Sequence, residues 1–147
     1  MHRYFLTINT FDRRSTFEDS QYVDLVLDHF LRTSADYSCE VTAYCFMPDH
    51  RHALLEATSE RANFLKFVAM FKQRSGYAFK QRTGEILWPD SFYDHILRDE
   101  EATLAVAAYI VANPLRAGLC CDVRSYPFVG SARYSIEQLI DAIQWRP

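Results

Sequence analysis

The segment HRH at residues 50–52 places two imidazole side chains one residue apart. The preceding segment, residues 38–48, is rich in β-branched and aromatic residues, and an apolar run follows, which together predict a strand. Because successive side chains of a strand point to opposite faces, His50 and His52 would share one face and could bind a single metal ion. An isolated pair of this kind more often consists of two hydrogen-bonded structural histidines, so the pair alone leaves both interpretations open.

Tyr109 and Asn113 form a second candidate pair. They lie in a segment with helical composition, residues 99–113, and a spacing of four residues places them on one helix face. Small alanines surround Tyr109 in the sequence, so a backbone or a ligand could approach the ring closely. Taken alone, a core tyrosine beside a helix-terminal asparagine is the commoner interpretation.

The elements that would position these side chains follow the order β-α-β-β-α-β-α. The patterns predict strands at residues 3–11, 38–48 and 50–57 and near the end of 88–98, and helices at 19–34, 62–82 and 99–113; a last amphipathic segment follows at 135–145. Pro114 predicts that the third helix ends or kinks at Asn113. This order favours an α+β sandwich, with helices on one face of an antiparallel sheet and the other face or an edge left for a ligand.

Composition and charge limit the class of protein. The chain has 147 residues, 49% of them hydrophobic, and a net charge of −3, which predicts one globular domain over residues 1–147. Neither a signal peptide nor a membrane-spanning segment is predicted. The cysteines follow no disulfide or zinc-site spacing, which favours reduced thiols in the cytoplasm; they are Cys39, Cys45, Cys120 and Cys121.

Three sequence blocks resemble those of a known family. CFMPDHRHALLEA, FKQRSGYAFKQRTGEILWPDSFYDHILRDEE and YIVANPLRAGL, in this order and spacing, are similar to the REP-associated tyrosine transposases, which belong to the HUH endonuclease superfamily. The resemblance runs from about Arg3 to about Ser131. It implies a ferredoxin-like α+β sandwich, an antiparallel sheet with helices packed on it. It also implies a bacterial, nucleoid-associated protein that acts on single-stranded or hairpin DNA as a monomer or homodimer.

The resemblance also implies a role for each member of the two candidate pairs. His50 and His52 match the paired metal ligands, and Asn113 matches a third ligand on the helix of the nucleophile. Tyr109 matches the tyrosine that attacks a DNA phosphate and forms a covalent 5′-phosphotyrosine. Two imidazoles and one amide oxygen, with open positions for water, suit Mn²⁺ or Mg²⁺ better than a structural zinc ion.

Arg51 departs from the family pattern, in which the residue between the histidines is usually hydrophobic. On a strand, Arg51 would point away from the metal and beneath the helices. Because a buried arginine must be paired or must reach water, we expect the strand to lie near the rim of the sheet, or an acid such as Glu40 to pair with Arg51.

A local basic patch must supply the DNA contacts, because the whole chain is acidic. Cations of the second helix and of the segments beside the Tyr109 helix are candidates for phosphate contacts, and a tryptophan is a candidate for base stacking. The predicted nucleic-acid-binding residues are Lys72, Arg74, Lys80, Trp88, Arg98 and Arg116. For each residue taken singly, a solvated helix face or a core position is the alternative.

Two other functions remain open at this point. The first is a non-catalytic nucleic-acid-binding module derived from a transposase. The second is a small metal-dependent hydrolase that uses the histidine pair and a carboxylate such as Asp49. Neither would form a covalent protein–DNA adduct, so a denaturing gel distinguishes both from a transposase.

Overall fold

A computed structural model describes residues 3–97 and 102–144 of the chain. The strands are β1 (Arg3–Asn9), β2 (Cys39–Met47), β3 (His50–Ala57), β4 (Tyr93–Leu97) and β5 (Val129–Gly130). The helices are α1 (Ser20–Asp36), α2 (Phe64–Thr83), α3 (Ala102–Val111), α4 (Asn113–Arg116) and α5 (Ile136–Gln144), with short 3₁₀ turns at Phe11–Arg13, Thr16–Glu18 and Val123–Ser125. No helix in the described ranges combines the length and the hydropathy that crossing a membrane requires.

The strands form a five-stranded antiparallel sheet in the order β4-β1-β3-β2-β5. The first four strands, connected β-α-β-β-α-β along the chain, have the ferredoxin-like arrangement, which confirms the predicted α+β sandwich. Strands β2 and β3 form a hairpin, in which Met47 pairs with His50 across a turn made of Pro48 and Asp49. Strand β3 is therefore the central strand of the sheet.

Local capping explains where the two long helices begin and end. The Asp19 carboxylate accepts a hydrogen bond from the backbone N–H of Gln21 at the start of α1. The Asn63 side chain accepts one from the N–H of Lys66 at the start of α2. Gly84 ends α2 in the left-handed conformation, with φ of 75°, which glycine adopts without steric cost.

Both faces of the sheet are covered by helices. Helices α1 and α2 pack on the face to which Ala53 and Leu55 of β3 point. Helices α3 and α5 pack on the opposite face, to which Leu54 points. The expectation of one covered face is therefore wrong. Buried residues in direct succession along β2, rather than an alternation of buried and exposed ones, show that this strand is covered on both sides.

The alternation along β3 determines which helices each candidate side chain faces. Arg51 shares the face of Ala53 and Leu55, beneath α1 and α2. His50 and His52 share the face of Leu54, on which α3 packs. The histidines and the helix that carries Tyr109 therefore lie on the same side of the sheet.

Candidate active site

The two histidine rings lie next to each other with one nitrogen of each ring engaged. Their centroids are 4.8 Å apart, and the rings meet edge to face at 78°. His50 Nδ1 lies 2.7 Å from Asp49 Oδ1, and His52 Nδ1 lies 2.8 Å from the Thr7 hydroxyl on the paired strand β1. Metal-binding histidines have the same arrangement, in which the second ring nitrogen donates to an oxygen and fixes the tautomer. The Nε2 atoms are then the nitrogens available for a ligand.

The environment keeps His52 neutral. Burial, and to a lesser extent the positive charges of His50, Arg51 and Arg116, together lower the pKa of His52 to about 4. A neutral imidazole is the form that binds metal ions. Both the neutral state of His52 and the fixed orientation of the two rings suit the binding of a divalent cation.

Asp49 orients His50 and is itself held by a cation. Its Oδ2 accepts a hydrogen bond from Arg13 Nε at 3.0 Å. Burial would raise the pKa of Asp49, but hydrogen bonds from His50 and Arg13 lower it overall. Both carboxylate oxygens therefore have partners, which makes Asp49 a supporting residue of the pair and disfavours its use as the hydrolytic carboxylate of the alternative function.

Among the described residues, a third protein ligand would have to be a neutral group. Within residues 3–97 and 102–144, no three histidine, cysteine, aspartate or glutamate side chains form a cluster that could hold a metal ion. The amide of Asn113, which is half-buried at the start of α4, and water remain as further ligands. The assignment of Asn113 to the metal stays a prediction.

Tyr109 lies near the end of α3, with 47% of its surface exposed. Its neighbours in the helix, Ala108 and Ile110, are buried. Helix α3 ends at Val111, just before Pro114, as the sequence predicts, because proline lacks the N–H that would continue the helix. Tyr109 and Asn113 consequently lie in two successive helices rather than in one.

Arg116 connects Tyr109 with the histidine side of the sheet. Its guanidinium carbon lies 3.8 Å from the centre of the Tyr109 ring, and its Nη2 donates a hydrogen bond of 2.8 Å to the Tyr109 carbonyl. The charge of Arg116 also acts on His52, whose pKa it lowers, although burial is the larger cause. Arg116 thus contacts Tyr109 directly and acts on His52 through its charge.

Two of the predicted phosphate contacts have partners within the protein. Lys72 Nζ donates to the carbonyl oxygens of Pro89 and Ser91, at 2.6 and 3.4 Å, and thereby holds the loop after α2. Arg74 forms an ion pair with Asp36 of α1 at 2.8 Å. Each would have to give up or share these contacts to bind DNA.

The remaining predicted contacts differ in exposure. Lys80 is exposed on α2. Trp88 is only 7% exposed and donates from Nε1 to Ser75 Oγ at 2.9 Å, so it is a core side chain, and its position disfavours stacking on a base. Lys72, Lys80 and Trp88 nevertheless line one groove of about 480 Å³ between α2 and the following loop. Arg98 lies outside the described residues.

Arg51 is buried, and the described residues give it no acidic partner. It is 1% exposed, and among the described residues none of its three guanidinium nitrogens has a hydrogen-bond partner. The guanidinium lies among the rings of Phe30, Phe46 and Phe71, at 3.6, 5.2 and 5.0 Å from their centres. Both expectations for this residue are therefore wrong, because β3 is central in the sheet and Glu40 does not pair with it.

Comparison with known proteins identifies the family. The fold is an antiparallel sheet covered by helices. Its paired histidines lie on the same side of the sheet as the helix with the half-exposed Tyr109, which is the architecture of a transposase-like protein. The chain belongs to the IS200-like transposase family, whose model matches residues 2–113.

Two relatives show which members of this family the chain resembles. A Haemophilus influenzae protein named as a REP-associated tyrosine transposase is 26% identical over 136 residues, which cover 85% of this chain and 77% of the relative. The REP-associated tyrosine transposase of Escherichia coli is 23% identical over 125 residues, 85% of this chain and 73% of that protein. These similarities confirm the resemblance inferred from the three sequence blocks.

Solved structures confirm the fold. The structure of a REP-associated tyrosine transposase bound to a REP hairpin matches with a TM-score of 0.74 and 23% identity, over 87% of this chain and 75% of that one. A Deinococcus radiodurans protein described as a transposase matches with a TM-score of 0.57 and 23% identity, over 75% of this chain and 89% of that one.

Proposed function

We propose that this protein cleaves and rejoins single-stranded DNA through a covalent 5′-phosphotyrosine on Tyr109, acting on hairpin-containing repeats. One observation carries the proposal. His50 and His52, with their Nδ1 atoms engaged by Asp49 and Thr7, lie on the sheet face that is covered by the helix of Tyr109. Such a reaction needs metal ligands that are held in a fixed orientation and an accessible tyrosine hydroxyl.

The proposed metal ligands are His50, His52 and Asn113. A bound Mn²⁺ or Mg²⁺ would act as a Lewis acid on the non-bridging oxygens of the scissile phosphate. The protein contributes two imidazoles in fixed orientations. When Nε2 of His52 presents its lone pair, Nδ1 carries the hydrogen and donates it to the Thr7 hydroxyl. Asp49 fixes the ring of His50 in the same way.

Tyr109 would be the nucleophile. Its phenol oxygen forms a bond to phosphorus while the bond between phosphorus and the 3′ oxygen breaks. The phenolic proton leaves to solvent, and the departing 3′ oxygen takes up a proton and becomes a hydroxyl. Attack by another 3′-hydroxyl reverses the step and joins two strands without ATP, because the phosphotyrosine ester retains the bond energy.

Hairpin DNA with an unpaired segment is the proposed substrate. The E. coli relative is a REP-associated transposase, and a structure with the same fold is bound to a REP hairpin. The scissile phosphate has to reach both the histidines and Tyr109. A phosphate of an unpaired strand can do so more easily than a phosphate of a duplex. Of the proposed phosphate contacts in the described structure, Lys80 and Arg116 are exposed, and Arg116 lies beside the nucleophile.

The test is covalent capture on a library of single-stranded hairpins with Mn²⁺. We expect a protein–DNA adduct that survives a denaturing gel and maps to Tyr109. Hairpin binding without cleavage would instead support the non-catalytic module. Cleavage without an adduct would support the metal-dependent hydrolase.

A further inference from the structure

The ring of Tyr109 needs a group that fixes its direction. Nearly half of its surface is exposed, and within the described ranges its hydroxyl makes no hydrogen bond. An exposed tyrosine without such a bond moves between rotamers on a fast time scale. A nucleophile in this state would point towards its target only part of the time, which slows an in-line attack.

Arg116 is the residue that contacts this ring. The guanidinium lies 3.8 Å from the ring centre, within the range of a cation–π interaction, and Nη2 donates to the Tyr109 carbonyl. The carbonyl lies in the last turn of α3, which ends at Val111, and the carbonyl groups of a last turn lack donors within the helix. Arg116 therefore caps this helix end and covers the tyrosine ring at the same time.

We propose that Arg116 is a positioning residue, which holds the Tyr109 phenol in a fixed direction on the histidine side of the sheet. The inference rests on the proposed function, since it assigns a role relative to the nucleophile. It replaces the simpler expectation that Arg116 is one of several phosphate contacts. The positioning requires a planar guanidinium, because only that group can stack on the ring and donate to the carbonyl together.

Kinetics separate positioning from phosphate binding. The variants are Arg116→Ala and Arg116→Lys, with Arg61→Ala as the control, because Arg61 is an exposed arginine of the loop before α2. At saturating hairpin DNA we expect Arg116→Ala to slow single-turnover adduct formation by about 10–100-fold. Its DNA affinity should stay within about twofold of the wild type, since a positioning residue makes no contact that binding requires.

Two further results belong to the same experiment. Arg116→Lys should remain slow although it keeps the charge, and added methylguanidinium should partly restore the rate of Arg116→Ala. Arg61→Ala should react like the wild type. A weaker DNA affinity of Arg116→Ala with an unchanged rate at saturation would overturn the proposal and assign Arg116 to phosphate binding.

A structural readout tests the contact without any activity. In NMR spectra, a guanidinium group stacked on a tyrosine shows ring-current shifts of its side-chain protons. These shifts should persist in Tyr109→Phe, which keeps the ring, and disappear in Tyr109→Leu, which removes it. Identical Arg116 signals in all three proteins would overturn the inference. If the wild type forms no adduct, the proposed function fails, whereas the NMR comparison still decides whether Arg116 holds the ring.

Discussion

Arg51 stands between the two histidines on the central strand of the sheet, and its guanidinium carbon lies 3.6 Å from the centre of the Phe30 ring. Stacking on three phenylalanine rings offsets part of the cost of burying this charge. No carboxylate in the described residues neutralises it, and burial lowers the pKa of Arg51 to about 9. The guanidinium is still charged at neutral pH, so this core carries an uncompensated desolvation cost.

The first prediction is that Arg51→Met stabilises the protein. A flexible apolar side chain can fill the same space without the cost of a buried charge, and we expect the free energy of unfolding to rise by about 1–4 kcal/mol. Urea denaturation measures the change. Arg61→Met, on an exposed loop, is the matched control and should shift stability by less than about 0.5 kcal/mol. A less stable Arg51→Met protein would mean that the aromatic cage compensates the charge fully.

The second prediction concerns the metal. Changing His50 and His52 together to alanine should abolish Mn²⁺ binding measured by calorimetry, because the described part of the chain holds no group of three or more histidine, cysteine or acidic side chains that could bind the ion instead. The fold should survive, because neither histidine belongs to the fully buried core. Far-UV circular dichroism checks the fold. Undiminished Mn²⁺ binding in a folded double variant would rule out this pair as the site.

The third prediction concerns Thr7, which orients His52. Thr7→Val keeps the shape of the side chain and removes the oxygen that lies 2.8 Å from His52 Nδ1. We expect Mn²⁺ affinity to fall by about 10–100-fold, the usual effect of losing such a supporting hydrogen bond. Thr58→Val is a suitable control, because Thr58 is exposed just beyond the end of β3. Equal affinities of the two variants would show that the hydroxyl does not support a ligand.

The elements and the candidate residues were largely predictable from the sequence, because they depend on local patterns. The apolar run after the histidines located β3, the alternating direction of side chains in a strand placed both histidines on one face, and Pro114 marked the end of α3. The partners of these residues were not predictable. Thr7 meets His52 only through the pairing of β1 with β3, and the register of two distant strands leaves no local signal in the sequence. The resemblance to a family likewise gave no indication of the Arg51 cage, since it is a departure from that family's pattern.

The residues that could contact DNA were the least predictable from the sequence. A cation in a basic segment and a cation that holds a loop look alike in sequence, yet Lys72 binds two backbone carbonyls whereas Lys80 is exposed. Trp88 similarly belongs to the core. In each case tertiary contacts between α2 and the following loop determine what the side chain can bind.

The fourth prediction uses this difference between the lysines. Lys80→Ala should weaken hairpin binding similarly for all sequences and reduce the slope of log affinity against log salt by about 1, as expected for one phosphate contact. Stability should hardly change, because Lys80 is exposed. Lys72→Ala should instead lower the melting temperature, because it releases the carbonyls of Pro89 and Ser91. Fluorescence anisotropy across salt concentrations and thermal denaturation provide the two measurements.

The fifth prediction tests the nucleophile itself. Tyr109→Phe removes only a hydroxyl that has no hydrogen-bond partner among the described residues, so the fold, the Arg116 stack and hairpin affinity should all persist. Adduct formation should disappear, because no other group is proposed to form the phosphate ester. Tyr77→Phe is the sharpest control. Tyr77 is more exposed, at 68%, but it belongs to α2, which packs on the sheet face opposite the histidines. We therefore expect Tyr77→Phe to cleave at the wild-type rate. An adduct mapped to Tyr77 would overturn the mechanism, and so would full cleavage by Tyr109→Phe.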